Sequence, residues 1–374
     1  MTVSQPLPCE IVSQPAQLEA AVQEMAGSAA IALDTESNSR HHYPEQLCLI
    51  QIATLDKVYI IDTILLKEIT PLERFLADSA IQKVIHGADY DIRCLDRHYG
   101  FRIHNLYDTS IAARFAGMTE FGLTALIKNL LGITLLKSER LQQSDWGRRP
   151  LSAEALEYAA GDVQYLFDLR DKLEQRLQSL GRTAWVAEEC ARLEEVRFTT
   201  PDLQTAYLSV KGARELDGRG LAVLQSLWLF REKESVRQGR PPFFVIPDYA
   251  LITLAADPAA DLSKVRGLGQ TGLQRFGPNL REALREGQAA PPIQRSRRIF
   301  ERPSREQETS LTRLKAWRTA LGVTLSLDPS LLWPTASLER LAKDPGTYDS
   351  EINSPVVRRW QREQFGSSLS TCLK

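Results

Sequence analysis

The chain of 374 residues is too long for one ordinary domain and suits two or three. A composition of 43% hydrophobic and 25% charged residues excludes a disordered polymer, and no apolar run approaches the roughly 20 residues needed to span a bilayer. With 46 basic against 47 acidic side chains the net charge is −1, which excludes a protein that holds nucleic acid by bulk positive charge.

The first third alternates β-branched runs with helical patterns. Strands are predicted at Ala29–Asp34, Leu47–Ala53 and Val58–Asp62, and the short loops between them suggest an antiparallel meander. A helix should start near Pro71, a buried strand should cover Gln82–His86, and a helix over Tyr90–Tyr99 should close at Gly100. Helices follow at about 109–116 and 122–131, the second ended by Gly132. Ser152 is placed to cap a long helix from Ala153 to Gly181. Strands interleaved with helices predict an α/β sheet covered by helices.

From about 205 onward the strand pattern stops. Segments 219–238, 248–256, 261–265 and 272–286 read as short amphipathic helices. The Pro- and Arg-rich stretch 288–305 reads as a linker, and helix-like segments resume after it. The five cysteines are scattered without a CxxC pair, which excludes a cysteine-rich zinc site and predicts no disulfide framework. Cys48 and Cys94 lie in apolar runs and are expected to be buried thiols. The N-terminal MTVSQPLPCEIVSQPAQ has no basic segment followed by an apolar stretch, so no secretory signal is expected, and the cytoplasm is the expected compartment.

Three acidic sites carry candidate chemistry. Asp34 and Glu36 end the first strand two residues apart, so both point to one face and can converge on one cation. Hard cations such as Mg²⁺ take oxygen ligands, yet an Asp-x-Glu triplet alone is also an ordinary solvated strand end. Asp91 follows a buried strand at the opening of a helix. Asp89 competes with it, although a first-turn acid is the simpler role for Asp89. Tyr158 and Asp162 sit four apart on a helical face whose neighbours Leu156, Ala159, Val163 and Leu166 turn it toward the sheet. A carboxylate there is costly unless it is hydrogen-bonded, paired or bound to metal.

The ordered set Asp34/Glu36, Asp91, Tyr158/Asp162 resembles the three motifs of the DEDD exonuclease superfamily in its tyrosine variant. The segments DTESNSRHHYPEQLCLIQIA, KVIHGADYDIRCL, NLYDTSIAARFAG and SDWGRRPLSAEALEYAAGDVQYL are similar to ribonuclease D over roughly residues 10–200. The resemblance implies a ribonuclease H-like α/β domain with a mixed sheet. It also implies two divalent cations, Mg²⁺ or Mn²⁺, held by Asp34, Glu36, Asp91 and Asp162. In that scheme Glu36 also touches the terminal 3′-hydroxyl, and Tyr158 orients the attacking water. A phenol with a pKa near 10 suits positioning better than full proton abstraction.

Other motifs carry less. Gly267-Leu268-Gly269-Gln270-Thr271-Gly272 matches a dinucleotide fingerprint, but helical segments surround it and a tight interhelical loop is expected instead. Adjacent His41 and His42 point oppositely in an extended chain, so they read as solvated loop residues or substrate contacts. His86 should pack and hydrogen-bond its turn; His98 and His104 suggest no role. Trp146 with Arg148 and Arg149 either approaches the scissile end or packs structurally.

Residues 207–287 resemble the HRDC module of helicases and ribonuclease D through Leu224, Trp228, Arg231, the Pro241–Pro247 run, Leu254, Pro258, Gly267, Phe276 and Gly277. Segment 306–374 is similar to a more divergent copy, through Trp317, Arg318, Leu331, Leu341, Pro345, Trp360, Phe365 and Gly366. The expected organisation is an exonuclease domain over 1–204, HRDC modules over 205–287 and 306–374, and a linker over 288–305. Arg295, Arg297, Arg298, Arg302 and Arg305 of the linker are candidates for RNA phosphate contact. The expected activity is release of 5′-mononucleotides from accessible RNA 3′ ends, with transfer-RNA precursors as the implied partner, no membrane and no protein partner. Because the carboxylates do not select the sugar, a DNA 3′→5′ exonuclease is the enzyme alternative, and a non-catalytic RNA-binding protein of the same fold is the other.

Overall fold

A computed structural model describes residues 7–135, 138–294 and 302–373. Strand β1 (Cys9–Val12) leads into helix α1 (Pro15–Met25), whose Leu18, Ala21, Val22 and Met25 form one buried stripe at helical spacing. Strands β2 (Ala30–Ser37), β3 (Leu47–Ala53) and β4 (Val58–Asp62) form the expected antiparallel meander. A short helix α2 (Glu73–Ala77) precedes β5 (Gln82–Ile85), α3 (Asp89–Tyr99) and β6 (Leu106–Asp108). The mixed sheet has the order β1-β4-β3-β2-β5-β6, with β1 parallel to β4 and β2, β5 and β6 mutually parallel. Two departures from the sequence reading matter for the site. The first predicted strand continues past Asp34 to Ser37, so both acids stand within it, and the register with β3 shifts between Glu36 and Ser37. Bulges of this kind re-aim side chains beside active sites.

Helices α4 (Thr109–Phe115), α5 (Leu123–Leu131) and the short α6 (Glu139–Gln142) lead to α7 (Ala153–Gln164). Gly100 and Gly132 close α3 and α5 in left-handed conformations, as their positions suggested. Ser152 caps α7 by accepting from the Ala155 amide at 3.2 Å. The single long helix expected from Ala153 to Gly181 is instead two, α7 and α8 (Leu166–Leu180), separated at Tyr165, which leaves helical geometry at φ −107° and ψ 4°. The break lets α7 cover β2, β3 and β4 while α8 packs on α4, α5 and β5. Tyrosine is no helix breaker, so local sequence carried no warning. Helix α9 (Thr183–Glu194) completes this half.

The second half is helical among the described residues: α10 (Gly218–Gln238), α11 (Pro242–Val245), α12 (Asp248–Ala256), α13 (Gln270–Ala289), α14 (Arg305–Leu325), α15 (Pro329–Leu332), α16 (Thr335–Lys343), α17 (Tyr348–Ile352) and α18 (Arg359–Leu373). Residues from Tyr207 to Leu284 build a core of their own around Leu224, Trp228, Leu254 and Phe276. The C-terminal helices do not: Leu314, Trp333, Trp360 and Phe365 belong to one continuous core with the sheet half. Trp360 stacks on Trp185 at 4.7 Å, and Glu188 of α9 accepts from the first amides of α18, Arg359 at 2.6 Å and Trp360 at 3.1 Å. A carboxylate from one unit thus caps a helix of another. Among the described residues no helix is long and apolar enough to cross a membrane. All five cysteines are free, with Cys48 and Cys94 buried as expected.

Candidate metal centre

Strand β2 projects Asp34 and Glu36 from the sheet face that α7 covers, and α7 returns Asp162 to them. One carboxylate oxygen from each of these three lies within 4.8 Å of the other two. Asp91 does not join that trio. It is 4% exposed at the first turn of α3 and accepts a hydrogen bond from Thr35 Oγ1 at 2.5 Å, so it approaches from the opposite face of β2. Asp89, its neighbour, is exposed and pairs with Arg93 at 2.9 Å, which is the first-turn role.

Gly87 makes the turn that delivers Asp91. At φ +74° it occupies the left-handed region that glycine tolerates. The Gly87 and Ala88 amides donate to Asp108 at 3.0 and 2.8 Å, and the same carboxylate caps α4 through the Ser110 and Ile111 amides. Asp108 therefore fixes two turns from one buried position. His86 turns inward and shares a 2.9 Å hydrogen bond with Thr109 Oγ1, and burial holds its pKa below the usual histidine range. The Asp-Thr-Ser of NLYDTS, opening a helix, was a legible cap signal, but its second task of holding Gly87 was not.

The four acids repel one another. Burial pushes Asp34 up to about 7 against the opposing hydrogen bond from the Thr35 amide. Asp162 rises to about 8 through burial and the charge of Asp34. Glu36 and Asp91 also stand well above the carboxylate range, each through burial first and Asp34 next. Among the described residues, no lysine or arginine forms an ion pair with any of the four. Oxygen donors of like charge, gathered without a protein cation, are what a hard divalent ion requires. Burial and the charges of Asp162, Glu36 and Asp34 raise the Tyr158 phenol further above its ordinary value. It is therefore a hydrogen-bond donor at neutral pH.

The remaining sequence candidates resolve into supports. Trp146 is 1% exposed with its ring 6.1 Å from that of Tyr158. Arg149 grips Asp62 in bidentate fashion at 2.6 and 2.7 Å, so its guanidinium is committed to the fold and not free to approach the scissile end. Arg148 is exposed. His41 Nε2 donates to the Gln143 carbonyl at 2.8 Å and His42 lies 3.3 Å from Asp145, so both brace the loop ahead of Trp146. The Gly267–Gly272 motif spans the turn into α13, as an interhelical loop. Of the linker arginines, Arg295, Arg297 and Arg298 lie outside the described residues.

Residues 9–178 match the family described as 3′-5′ exonuclease, and residues 220–284 match the HRDC domain. The chain is similar to ribonuclease D of Granulibacter bethesdensis, 32% identical across 90% of this chain and 85% of that one. Ribonuclease D of Gluconacetobacter diazotrophicus is 30% identical, across 95% and 90%. In fold it is similar to the crystal structure of Escherichia coli RNase D, with a TM-score of 0.74, 23% identity, and 98% and 99% of the two chains covered.

Proposed function

The chain belongs to the ribonuclease D family, and from that membership we propose a metal-dependent 3′→5′ exoribonuclease whose centre is Asp34, Glu36, Asp91, Tyr158 and Asp162. The observation that carries the residue assignment is the convergence of Asp34, Glu36 and Asp162 within 4.8 Å with no paired cation among the described residues. Three carboxylate oxygens this close suit a divalent cation, and by family resemblance Asp91 joins them to hold two ions among four acids. When bound, Mg²⁺ or Mn²⁺ would supply an activated water and neutralise charge on the departing oxygen.

The protein's own contributions are positional. Asp34, whose charge acts on each of the other three acids, would hold the ions together with them. In this reading, by family resemblance, Glu36 also meets the terminal 3′-hydroxyl. Tyr158, protonated and backed by Trp146, donates to the incoming water and fixes its line of approach.

Substrate RNA with an accessible 3′ end, including transfer-RNA precursors, belongs to the same proposal. So do the division into 1–204, 205–287, 288–305 and 306–374 and a cytoplasmic location. Support for an RNA surface comes from the 205–287 module. Phe243 and Phe244 are each more than half exposed with rings 4.6 Å apart, and Arg240 lies 5.5 Å from the Phe244 ring. Arg266 similarly covers exposed Tyr249 at 5.5 Å. Open aromatic faces beside guanidinium groups suit stacking and charge neutralisation of single strands. Gly239 at the end of α10 accepts from the Tyr43 amide at 3.3 Å, and Tyr43 also bonds Glu232, so this module abuts the loop leading out of Glu36.

Incubation of the metal-stripped chain with 3′-labelled RNA and DNA of one sequence tests the reading. Mg²⁺-restored release of mononucleotides from RNA is expected. Equal cleavage of DNA would favour the DNA exonuclease, and no metal-dependent product would leave a binding protein.

A further inference from the structure

Strand β3 reads LCLIQIA, and all seven residues are buried. Six are apolar; the seventh, Gln51, is 0% exposed, and neither its Nε2 nor its Oε1 has a hydrogen-bond partner among the described residues. An orphaned buried amide is destabilising, a cost that a leucine or valine at this position would avoid. The register explains where that amide sits: Gln51 is the direct cross-strand partner of Asp34 on one side and of Ile60 on the other. Direct partners on antiparallel strands share a face, with Cβ atoms about 4.5–5.5 Å apart. That is the face α7 covers and on which Asp34 meets Asp162.

We propose that Gln51 is a positioning residue of the metal centre, its amide orienting the Asp34 carboxylate once that carboxylate is charged and ligated. The inference rests on the metal reading above. A carboxylate that binds an ion through one oxygen leaves its second free to rotate, and a donor behind it fixes the productive orientation. A neutral amide does this without competing for the site. A lysine in its place would pair with Asp34, and another acid would add to a repulsion already shared by four groups.

The test uses the full chain, stripped of metal, titrated with Mn²⁺ alone and read by the electron paramagnetic resonance of the free ion. Gln51→Met keeps length and volume while removing both polar atoms. It is expected to weaken Mn²⁺ binding at the site about ten-fold, with the thermal midpoint of the metal-free protein unchanged or higher. Gln51→Leu replaces it if the methionine variant does not fold. Native Mn²⁺ affinity in a folded Gln51 variant overturns the proposal, because a merely structural glutamine would behave that way. Asp34→Asn separates the two levels of the argument: if it too binds Mn²⁺ like the native chain, the metal centre itself is misassigned.

Discussion

Trp146 and Tyr158 face each other with ring centroids 6.1 Å apart and planes tilted by 39°, so the phenol is braced by a side chain that is itself 1% exposed. The bracing decouples ring placement from the hydroxyl's chemistry. Tyr158→Phe should therefore fold normally and bind metal normally while losing the donor that aligns water. The expected loss in kcat is roughly 10²-fold, with KM for RNA nearly unchanged. Steady-state kinetics on a short labelled RNA checks this; an unaltered kcat would remove Tyr158 from the mechanism.

Asp34→Asn and Asp162→Asn act on the ligands instead. Each should lower hydrolysis by more than about 10³-fold, equivalent to losing several kcal/mol of charge stabilisation. Each also removes one member of a mutually repelling set. The metal-free variants should accordingly melt higher than the native protein at pH 8. Loss of activity accompanied by a lower melting point would mean that the substitution damaged the fold rather than the site.

Local periodicity made much of this centre legible. The two-residue spacing of Asp34 and Glu36 and the four-residue spacing of Tyr158 and Asp162 fix shared faces whatever the remaining fold does. The meander, the glycine caps and the Ser152 cap were equally local. What escaped was set by partners distant in sequence. Strand β6 is three residues long and β1 four, too short for a pattern, although the Leu18–Met25 stripe of α1 was there to be found. Nothing near Tyr165 announces the break between α7 and α8. That Asp91 comes to Thr35 from the far face of β2, that Arg149 is taken by Asp62, and that Gln51 sits across from Asp34 depend on register and packing.

Stability should vary with pH in a sense opposite to that of a salt-bridged acid. Asp34 and Asp162, at about 7 and about 8, bind protons more tightly in the folded chain than in the unfolded one, where carboxylates titrate near 4. Without metal, their contribution is most favourable below the unfolded value and declines as pH rises from about 4 to 8. Deprotonation is also what metal binding requires, so the increase in melting temperature given by saturating Mn²⁺ should be larger at pH 8 than at pH 5.5. Thermal melts with chelator and with Mn²⁺ across that range provide the comparison. An increment independent of pH would contradict the assignment of these acids as ligands.

The exposed pair Phe243 and Phe244 should matter only to substrates long enough to reach them. Replacing both with alanine removes two stacking faces, each worth roughly 1–3 kcal/mol per base. The expected result is at least a ten-fold rise in KM for a 20-nucleotide RNA, with di- and trinucleotides cleaved as by the native chain. Because both rings are more than half exposed, stability should hardly change. A similar KM rise on the shortest substrates would locate the defect at the metal centre instead.

The C-terminal helices are joined to the catalytic half by burial that the sequence does not announce. Trp360 is 3% exposed, stacked on Trp185 with a 17° interplanar angle and edge-on to Phe115 at 5.3 Å. Arg358 adds a 3.0 Å pair with Glu189, and Glu188 caps α18. Trp360→Ala removes the centre of this contact and should cost about 3–5 kcal/mol. Helix α14 still packs on α15, α16 and α18, so these helices keep contacts with one another apart from the shared core. Calorimetry should then resolve two transitions where the native protein has these elements melting together, because the helices 305–373 no longer share their fate with the sheet. The acids of the metal centre stand on β2, α3 and α7, not on α9 or α18, so Mn²⁺ should still raise the upper transition. A single transition lowered by the full amount, with Mn²⁺ stabilisation also lost, would instead mean that Trp360 supports the sheet half directly.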